Sequence, residues 1–374
     1  MKKMVESMKR LSVKRLLLAC TAMQILGFGS SVCSAQTLLS QYQPGVTPEG
    51  AVYILPKTAV RLNILVEKTT YQPGDFARYA QRYLRLNGVG LEPVTAYRVV
   101  SVTPEAVGVP DTSKVFAVKF NPKTVAANLA LTDDGLLTAI NAEPDKPAVR
   151  TPFKPAPRPE RPNPRQFMNE DILAAGSTAK IAELTAREIY DLRENRSLLI
   201  KGQADFMPSD GAQMQLMLNQ IDMQDRALTQ LFSGVTERDT TEHVITLVPT
   251  EPVKGQVVFR LSQRTGLTDS DDLAGEPYYI DIEDITTLPA VDEAASAKAK
   301  KKLSVTGIYV NVPGKMRVSI LRNGSLIKTE ELPAPQFGQV ELLSGELFNK
   351  HYTTRLWLNP VSGAVERLDA EQPK

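Results

Sequence analysis

Alternating apolar and polar positions are the clearest pattern in the first third of the chain. Between residues 60 and 67, Val, Leu and Ile fill the even positions, while Arg61, Asn63 and Glu67 fill odd ones and Leu65 is the one lapse. A period of two predicts a half-buried strand. Dense β-branched and apolar residues predict further strands at 97–102 and 115–120, and at 129–131 and 136–137 on either side of an Asp133–Gly135 hairpin turn.

Helical spacing replaces this alternation between residues 166 and 233. Apolar residues between 181 and 192 share one helix face, and a stripe rich in methionine and leucine between 214 and 231 shares another. Ser209 is the predicted N-cap of the second helix, and the segment from Gly202 to Gly211 is the predicted turn. The two helices are expected to form an antiparallel hairpin whose methionines fill a core rather than an adaptable binding surface.

Short strands return after residue 235 and continue to the end of the chain. Asn323-Gly324 is a hairpin signal between two of them, and a turn is expected from Pro252 to Gly255. Short strands at near-regular spacing favour an antiparallel sandwich or an open barrel. The strands are predicted at 241–248, 257–261, 278–282, 308–312, 317–321, 325–332, 352–358 and 364–368, with a solvated loop at 294–302.

These patterns together predict an α+β protein. Its N-terminal antiparallel β-rich region contains one helix, at residues 75–84, and is followed by a helical hairpin and a C-terminal antiparallel β sandwich or open barrel. The predicted divisions are a signal peptide at 1–35, an N-terminal β domain at 36–143, a linker at 144–165, the hairpin at 166–234 and a C-terminal β domain at 235–374.

The segment from 144 to 165 differs from its surroundings because eight of its 22 residues are proline, six are basic and two are acidic. Proline removes backbone donors and fixes φ, so the segment is expected to be extended and outside any core. Composition favours a stiff spacer. The alternatives are a basic strap that touches an anionic cell-wall polymer, or a PxxP-type ligand.

The first 35 residues have the order of charge, apolar run and small residues that is typical of a secretory signal. Basic residues between 9 and 15 precede an apolar run from Leu16 to Val32, and Cys33-Ser34-Ala35 places small residues before Gln36. Cleavage is therefore predicted after Ala35. An uncleaved anchor is disfavoured because the run is short and contains polar residues, and no later stretch is long and apolar enough to span a membrane.

Both cysteines, Cys20 and Cys33, lie in this segment, where lipid attachment is the other alternative to simple cleavage. A chain without residues 1–35 has no cysteine, hence no disulfide and no thiol chemistry. It also loses six of the 44 basic and one of the 42 acidic residues, so its net charge becomes −3. A mildly acidic protein of 339 residues offers no electrostatic case for binding nucleic acid.

Candidate chemistry is sparse. The two histidines, His243 and His351, stand in strand-like contexts, so a zinc or other transition-metal site is not expected. An acidic cluster at 269–272 begins like a calcium loop, but Ala274 and Ile280 occupy the places of the required glycine and glutamate. Nucleophile-elbow, dinucleotide-binding and phosphate-loop strings are absent from the sequence. No catalytic, cofactor-binding or metal-binding residue is assigned, and no cofactor is predicted.

A pair of carboxylates stays open as a hypothesis because their separation is a tertiary property. An envelope hydrolase acting on carbohydrate would need two of them to face each other in a cleft beside Trp357 or Tyr279. Solvent-facing charge and core aromatics are the alternative interpretation of the same residues. The candidate carboxylates are Asp269, Asp271, Asp281, Glu283 and Asp284.

Several short motifs, in a fixed order, resemble a known family. They are Tyr53-Ile54-Leu55-Pro56-Lys57-Thr58, Tyr71-Gln72-Pro73-Gly74, Arg193-Glu194-Asn195-Arg196, Pro208-Ser209-Asp210-Gly211, Gly275-Glu276-Pro277-Tyr278-Tyr279, Gln336-Phe337-Gly338, Leu347-Phe348-Asn349-Lys350 and Asn359-Pro360-Val361-Ser362-Gly363-Ala364. Over nearly the whole mature chain they resemble the exported Bacteroidetes family catalogued as domain of unknown function 4831. The resemblance implies export and a Gram-negative envelope, but no activity and no site residues.

The sequence favours a non-enzymatic binding or structural protein of the periplasm or cell surface. The expected partner is an envelope protein or glycan, with no nucleic acid and no transmembrane helix after removal of the signal. The carbohydrate hydrolase is the alternative. A third hypothesis is an assembly chaperone that offers an unpaired sheet edge to its clients.

Overall fold

The architecture is taken from a computed structural model of the chain. It describes residues 38–42, 51–119, 128–146, 149–158, 160–289, 307–348 and 353–371. Antiparallel strands are the predominant secondary structure in this part of the chain and form three separate sheets, and its four α-helices lie between strands along the sequence. The predicted α+β class is confirmed.

The first sheet has the strand order β1-β3-β2-β6, with every pair antiparallel. Its strands are β1 (Leu38–Gln41), β2 (Ala51–Gln72), β3 (Val94–Lys119) and β6 (Val235–Leu247). Strand β6 follows the helices in sequence and yet pairs with β2 over its whole length, from Val60 to Gln72. A strand of the predicted C-terminal domain therefore completes a sheet that began in the predicted N-terminal domain.

The alternating sequence pattern predicted one of the two long strands of this sheet better than the other. The alternation around residues 60–66 is confirmed, because Val60, Leu62 and Ile64 are buried. Strand β3, however, continues through Pro104 and Pro110, which separated two predicted strands. There β3 pairs with β2 on one side, and β1 reaches it only at residues 116–119, so these prolines occupy an edge where no amide donor is needed.

The second sheet has the order β11-β10-β9-β7-β8. Its strands are β7 (Val253–Ser262), β8 (Gly266–Thr268), β9 (Glu276–Asp284), β10 (Gly307–Arg322) and β11 (Ser325–Ser344). The predicted Asn-Gly hairpin between β10 and β11 is confirmed, since both of its turn residues have positive φ. Two predicted strands merge into β10, which absorbs a proline at a register shift.

The connection between β6 and β7 differs from the expected hairpin. Strand β6 belongs to the first sheet and β7 to the second, so the chain passes from one layer to the other between residues 247 and 253. Gly255, expected at the end of the turn, lies inside β7 with φ of 67°, where a register shift interrupts pairing with β9. The glycine that predicted a turn therefore marks an irregularity within strand β7.

The third sheet has the order β13-β12-β5-β4 and is the smallest. Its strands are β4 (Leu129–Leu131), β5 (Leu137–Ile140), β12 (Thr353–Leu358) and β13 (Val365–Glu371). The predicted Asp-Gly turn between β4 and β5 is confirmed, with Gly135 at φ of 81°. Here also, strands separated by more than 200 residues share one sheet.

The helices are α1 (Ala80–Leu84), α2 (Glu170–Ala174), α3 (Thr178–Lys201) and α4 (Gly211–Ser233). A 3₁₀ turn precedes α1, and another precedes α2. The predicted hairpin is confirmed, because α3 and α4 contact each other and run antiparallel. Two ion pairs join them, Arg193 with Asp225 and Arg196 with Asp222. The predicted N-cap of α4 is wrong by one residue. Asp210 accepts the Gln213 amide, whereas the Ser209 hydroxyl donates to the Gln213 side chain.

Three clusters of buried side chains hold the layers together. The largest lies between the facing surfaces of the first and second sheets, so the sandwich combines N-terminal and C-terminal strands rather than two layers within residues 235–374. A second cluster joins the third sheet to the ends of β2 and β10. The third cluster packs α3 and α4 against α1. Residues 37–374 accordingly form one compact unit.

Several predictions fall outside the described residues: the signal segment 1–35 with its cysteines, the loop at 294–302, and His351. No helix within the described ranges is both long and apolar enough to cross a membrane.

Candidate functional site

The proline-rich segment lies against the first sheet and forms the wall of a cleft. We call residues 149–158 and 160–161 the strap, and the space between the strap and the outward face of the first sheet the strap cleft. Its volume is about 500 Å³. Residues of β2, β3, β6 and the strap line it: Arg61, Asn63, Leu65, Ser101, Thr103, Glu105, Val149, Arg150, Thr151, Phe153 and Glu242.

Strand alternation explains why the floor of this cleft is polar. The even residues of β2 from Val60 to Val66 face the sandwich core, so Arg61 and Asn63 point to the opposite face. On β3, Val102 is buried and its neighbours Ser101 and Thr103 line the cleft. The sequence pattern therefore fixes two polar rows side by side on one surface.

Ion pairs attach the strap to the edge strand β6. Arg150 pairs with Glu242, whose other carboxylate oxygen accepts the Phe153 amide at 3.2 Å. Further along, Arg158 contacts Asp239 at 2.8 Å and Arg161 contacts Glu237 at 2.6 Å. The strap is thus fastened to its own chain at three carboxylates of β6.

The positions of these partners show the path of the strap. Glu242 lies on the cleft side of β6, because it lines the cleft with the outward residues of β2. Glu237 and Asp239 have the opposite parity along the strand, so they project from the other face. Since β6 is at the edge of the sheet, the strap passes around that edge from one face to the other.

The charges in the strap cleft are paired. Arg61 Nη2 lies 2.9 Å from Glu105 Oε2, and Arg150 pairs with Glu242. The hydrogen bond from Arg61, followed by one from Asn63, holds the pKa of the Glu105 carboxyl below its usual value. Two arginines and two glutamates give the lining no net charge.

Two buried polar atoms in the cleft have no hydrogen-bond partner in the described protein: Arg61 Nε and Asn63 Oδ1. Asn63 is only 9% exposed. Leaving a buried donor or acceptor unpaired costs about 1–3 kcal/mol, so such atoms are uncommon without a reason. Asn311 Oδ1 is also unpartnered, but Asn311 lies in the interior beside Pro56 and Ser362 rather than on the cleft.

The structure does not bring the five candidate carboxylates together in a cleft. Asp269 and Asp271 are exposed in the connection between β8 and β9. Asp281 accepts the Gly255 amide at 2.6 Å, while Glu283 and the neighbouring Asp284 are exposed at the end of β9. In the described ranges, no group of three or more acidic, histidine or cysteine side chains is arranged to hold a metal ion.

The candidate aromatics belong to different sheets. Tyr279 is on β9, whereas Trp357 is on β12 in the third sheet, where its indole Nε1 donates to the Glu143 carbonyl at 3.0 Å. The Arg367 guanidinium stacks on the Trp357 ring, 3.6 Å from its centroid. His243 is exposed on β6 and contacts the Thr241 hydroxyl. None of these side chains meets the candidate carboxylates in a shared site.

Several of the family motifs meet at one structural node. The Asn311 amide donates to the carbonyls of Pro56 and Ser362, and Gln336 bonds both backbone groups of Thr58. Gly363, at φ of 69°, completes the turn against which Asn311 packs. The motifs at 53–58, 336–338 and 359–364 therefore join β2, β11 and the turn before β13, which is a structural role.

The family model described as Domain of unknown function (DUF4831) matches residues 49–366. The chain belongs to this family. No curated protein and no solved structure matches it. The match includes the strap and every described residue that lines the strap cleft, so the site lies within the family domain.

Sequence reasoning missed the strap cleft because its residues come from four segments between positions 61 and 242. One signal for it was present. The strap carries three arginines, and the β6 segment holds Glu237, Asp239 and Glu242 among β-forming residues. Complementary charge alone does not specify which acidic strand a basic segment contacts.

Proposed function

We propose that this chain is an exported, non-enzymatic binding protein of the cell envelope, and that the strap cleft is its ligand site. The observation that carries the proposal is the cleft itself, a space of about 500 Å³ with polar residues of β2 and β3 on the sheet side and Val149 and Phe153 on the strap side. Small-ligand sites are typically clefts of about 300–1,000 Å³ that combine apolar walls with a few fixed polar groups.

Binding fits the cleft better than hydrolysis. A glycosidase needs one carboxylic acid that keeps its proton near neutral pH and a second carboxylate across the scissile bond. In the strap cleft, Arg61 lowers the pKa of Glu105, and Glu242 is engaged by Arg150 and by a backbone amide. Glu105 is therefore held as a hydrogen-bond acceptor rather than as a proton donor, and both oxygens of Glu242 already have partners in the strap.

Export is supported by the order of basic, apolar and small residues in positions 1–35. The resemblance to an exported Bacteroidetes family agrees with this and favours a periplasmic or cell-surface setting. The ligand is then a component of the envelope, either a glycan or part of an envelope protein.

Native mass spectrometry of the purified mature chain after incubation with envelope extract tests the binding function. The unmodified protein is expected to carry a bound species that Thr103→Trp abolishes, because indole at this exposed position fills the cleft. Thr95→Trp is the matched control, since Thr95 is exposed on the same strand outside the cleft. Equal loading of both variants, or no bound species at all, would contradict the proposal.

Export is tested separately by intact-mass analysis of the natively expressed protein together with cell fractionation. A mature start at Gln36 in the soluble periplasmic fraction or at the cell surface is expected. A lipid-modified start at Cys20 or Cys33 in the membrane fraction would replace simple cleavage with anchoring. An intact residue 1 in the cytosol would refute export.

A further inference from the structure

We infer that the ligand of the strap cleft is an uncharged oligosaccharide. This inference rests on the proposed binding function and names the class of molecule that the cleft recognises. Four features of the lining support it. Its charges are balanced, its polar side chains remain accessible, the strap adds an aromatic surface, and the floor offers a peptide no free strand edge.

The charges of the cleft disfavour an ionic ligand. Arg61 pairs with Glu105 and Arg150 pairs with Glu242, so the lining has no excess of either sign. An anionic ligand would have to displace a glutamate from its arginine, and a cationic ligand would have to displace an arginine from its glutamate. A neutral ligand leaves both ion pairs in place, and no charge loses its water without compensation.

Polar side chains on the floor of the cleft remain within reach of a ligand. The side chains of Arg61 and Glu105 are 26% and 42% exposed, although they pair with each other. On β3, Thr103 is exposed and Ser101 is half-buried. A carboxylate or guanidinium presents polar atoms side by side, and a hydroxyl both donates and accepts hydrogen bonds. Adjacent sugar hydroxyls match such a lining without adding a charge to it.

Phe153 gives the strap side of the cleft an aromatic surface. It is 37% exposed and lines the cleft together with the polar residues of β2 and β3 on the sheet side. One face of a pyranose ring carries C–H groups that pack on an aromatic ring, while the hydroxyls at the edge of the sugar meet polar groups. The two sides of the cleft therefore match the two kinds of surface on a sugar, with an apolar wall facing fixed polar groups.

The floor of the cleft favours a glycan over a peptide. Peptides that bind to sheets gain affinity from main-chain hydrogen bonds to a free strand edge. Along the cleft, β2 is paired with β3 on one side and with β6 on the other, so its backbone groups are engaged. Pro104 has no amide donor for the free edge of β3, and the strap lies around the edge of β6. Recognition in the cleft therefore depends on side chains.

Native mass spectrometry with treated envelope extracts tests the inference. The mature chain is incubated with extract that is untreated, digested with a protease that is then removed, or oxidised with periodate that is then quenched. Periodate cleaves the carbon–carbon bond between adjacent hydroxyls. Loading of the chain is expected to survive the protease and to fall at least tenfold after periodate. Tandem mass spectrometry of the released ligand should show mass losses of neutral sugar residues only.

Substitutions of Phe153 examine the aromatic surface. Phe153→Ala is expected to lower loading at least tenfold, and Phe153→Leu, which keeps apolar bulk under the strap but removes the ring, should lower it as well. Phe153→Tyr keeps the ring and should load normally. Phe206→Ala, at an exposed position outside the cleft, is the matched control. Circular dichroism establishes that each variant is folded. Equal loading of Phe153→Leu and the control would refute the stacking contact.

The outcomes separate this inference from the proposed binding function. Loss of loading after protease treatment would assign the ligand to peptides and refute the glycan, while the cleft would keep its binding function. Loading that survives both treatments, or a released ligand with phosphate, sulfate or carboxylate groups, would refute the uncharged oligosaccharide in the same way. Absence of any bound species from the untreated extract would refute both proposals.

Discussion

At the scale of single residues, two buried asparagines perform different tasks. Asn311 is 2% exposed, and its Nδ2 donates to the Pro56 carbonyl at 2.8 Å and to the Ser362 carbonyl at 3.0 Å. It therefore joins β10 to β2 and to the turn before β13. Asn63, by contrast, lines the strap cleft, and its buried Oδ1 has no hydrogen-bond partner in the described protein. One is a structural clamp, and the other lies in the wall of the proposed ligand site.

Replacement of Asn311 by alanine is expected to destabilise the protein strongly. The change leaves the carbonyls of Pro56 and Ser362 without their donor in the interior. Each unpaired group costs about 1–3 kcal/mol, so the loss of two donors should lower the free energy of unfolding by about 2–6 kcal/mol. Urea denaturation measures this, with Asn195→Ala as the exposed control. If Asn311→Ala lowers the free energy of unfolding no more than Asn195→Ala does, the structural role of Asn311 is refuted.

Glu105 is expected to contribute to the loss of stability in acid. Its pKa in the folded protein is lowered from 4.5, first by the Arg61 hydrogen bond. A carboxyl with a depressed folded pKa stabilises the protein above its unfolded pKa, and this contribution is lost as the pH falls through the folded value. Glu105→Gln should therefore reduce the stability difference between pH 7 and pH 3 relative to the unmodified chain. Equal acid sensitivity of the variant and the unmodified chain would contradict this.

At the scale of elements, the strap and β6 depend on each other. The strap lies around the edge strand of the first sheet and is fastened at three carboxylates of that strand. Exposed sheet edges invite pairing with other chains, and covering an edge with a loop is one way to prevent it. This arrangement also argues against β6 as a freely available edge for chaperone clients.

Removal of the fastening at Glu242 should release the cleft end of the strap without unfolding the protein. Glu242→Ala eliminates the partner of Arg150 and of the Phe153 amide. Trypsin is then expected to cleave after Arg150 several-fold faster. Its rate after Arg264, in the exposed turn between β7 and β8, should stay the same. No strap residue belongs to the three buried clusters, so the melting temperature should change little. Unchanged cleavage after Arg150 would show that the strap is held elsewhere.

The elements also show which features a sequence can predict. The Asp-Gly and Asn-Gly turns are local, because their backbone requires positive φ, and both were found where predicted. The continuous strand β3 was not predicted, since Pro104 and Pro110 are tolerated only because that edge lacks a partner. The strap cleft was missed for a similar reason. Arg150 meets Glu242 across 92 positions of sequence, and no local pattern encodes that contact.

At the scale of the whole molecule, segments that are distant in sequence share sheets and cores. Strand β6 pairs with β2, β12 pairs with β5, and the main core lies between the first and second sheets. The first sheet cannot be completed without the chain after residue 234, and the third sheet cannot be completed without β5. Neither β region therefore has a complete core of its own among the described residues, which answers a question that the sequence left open.

This architecture predicts a single cooperative unfolding transition for the mature chain. Trp357, the only tryptophan, reports on the third sheet by fluorescence, while far-ultraviolet circular dichroism reports on all strands and helices. If the interleaved sheets unfold together, the two signals should have the same midpoint in urea, which is the test of a two-state transition. A truncated chain that ends at residue 234 should fail to show a cooperative transition, because it lacks β6 and the whole second sheet. Two separated midpoints, or cooperative unfolding of the truncated chain, would instead show that the N-terminal β region is an independent domain.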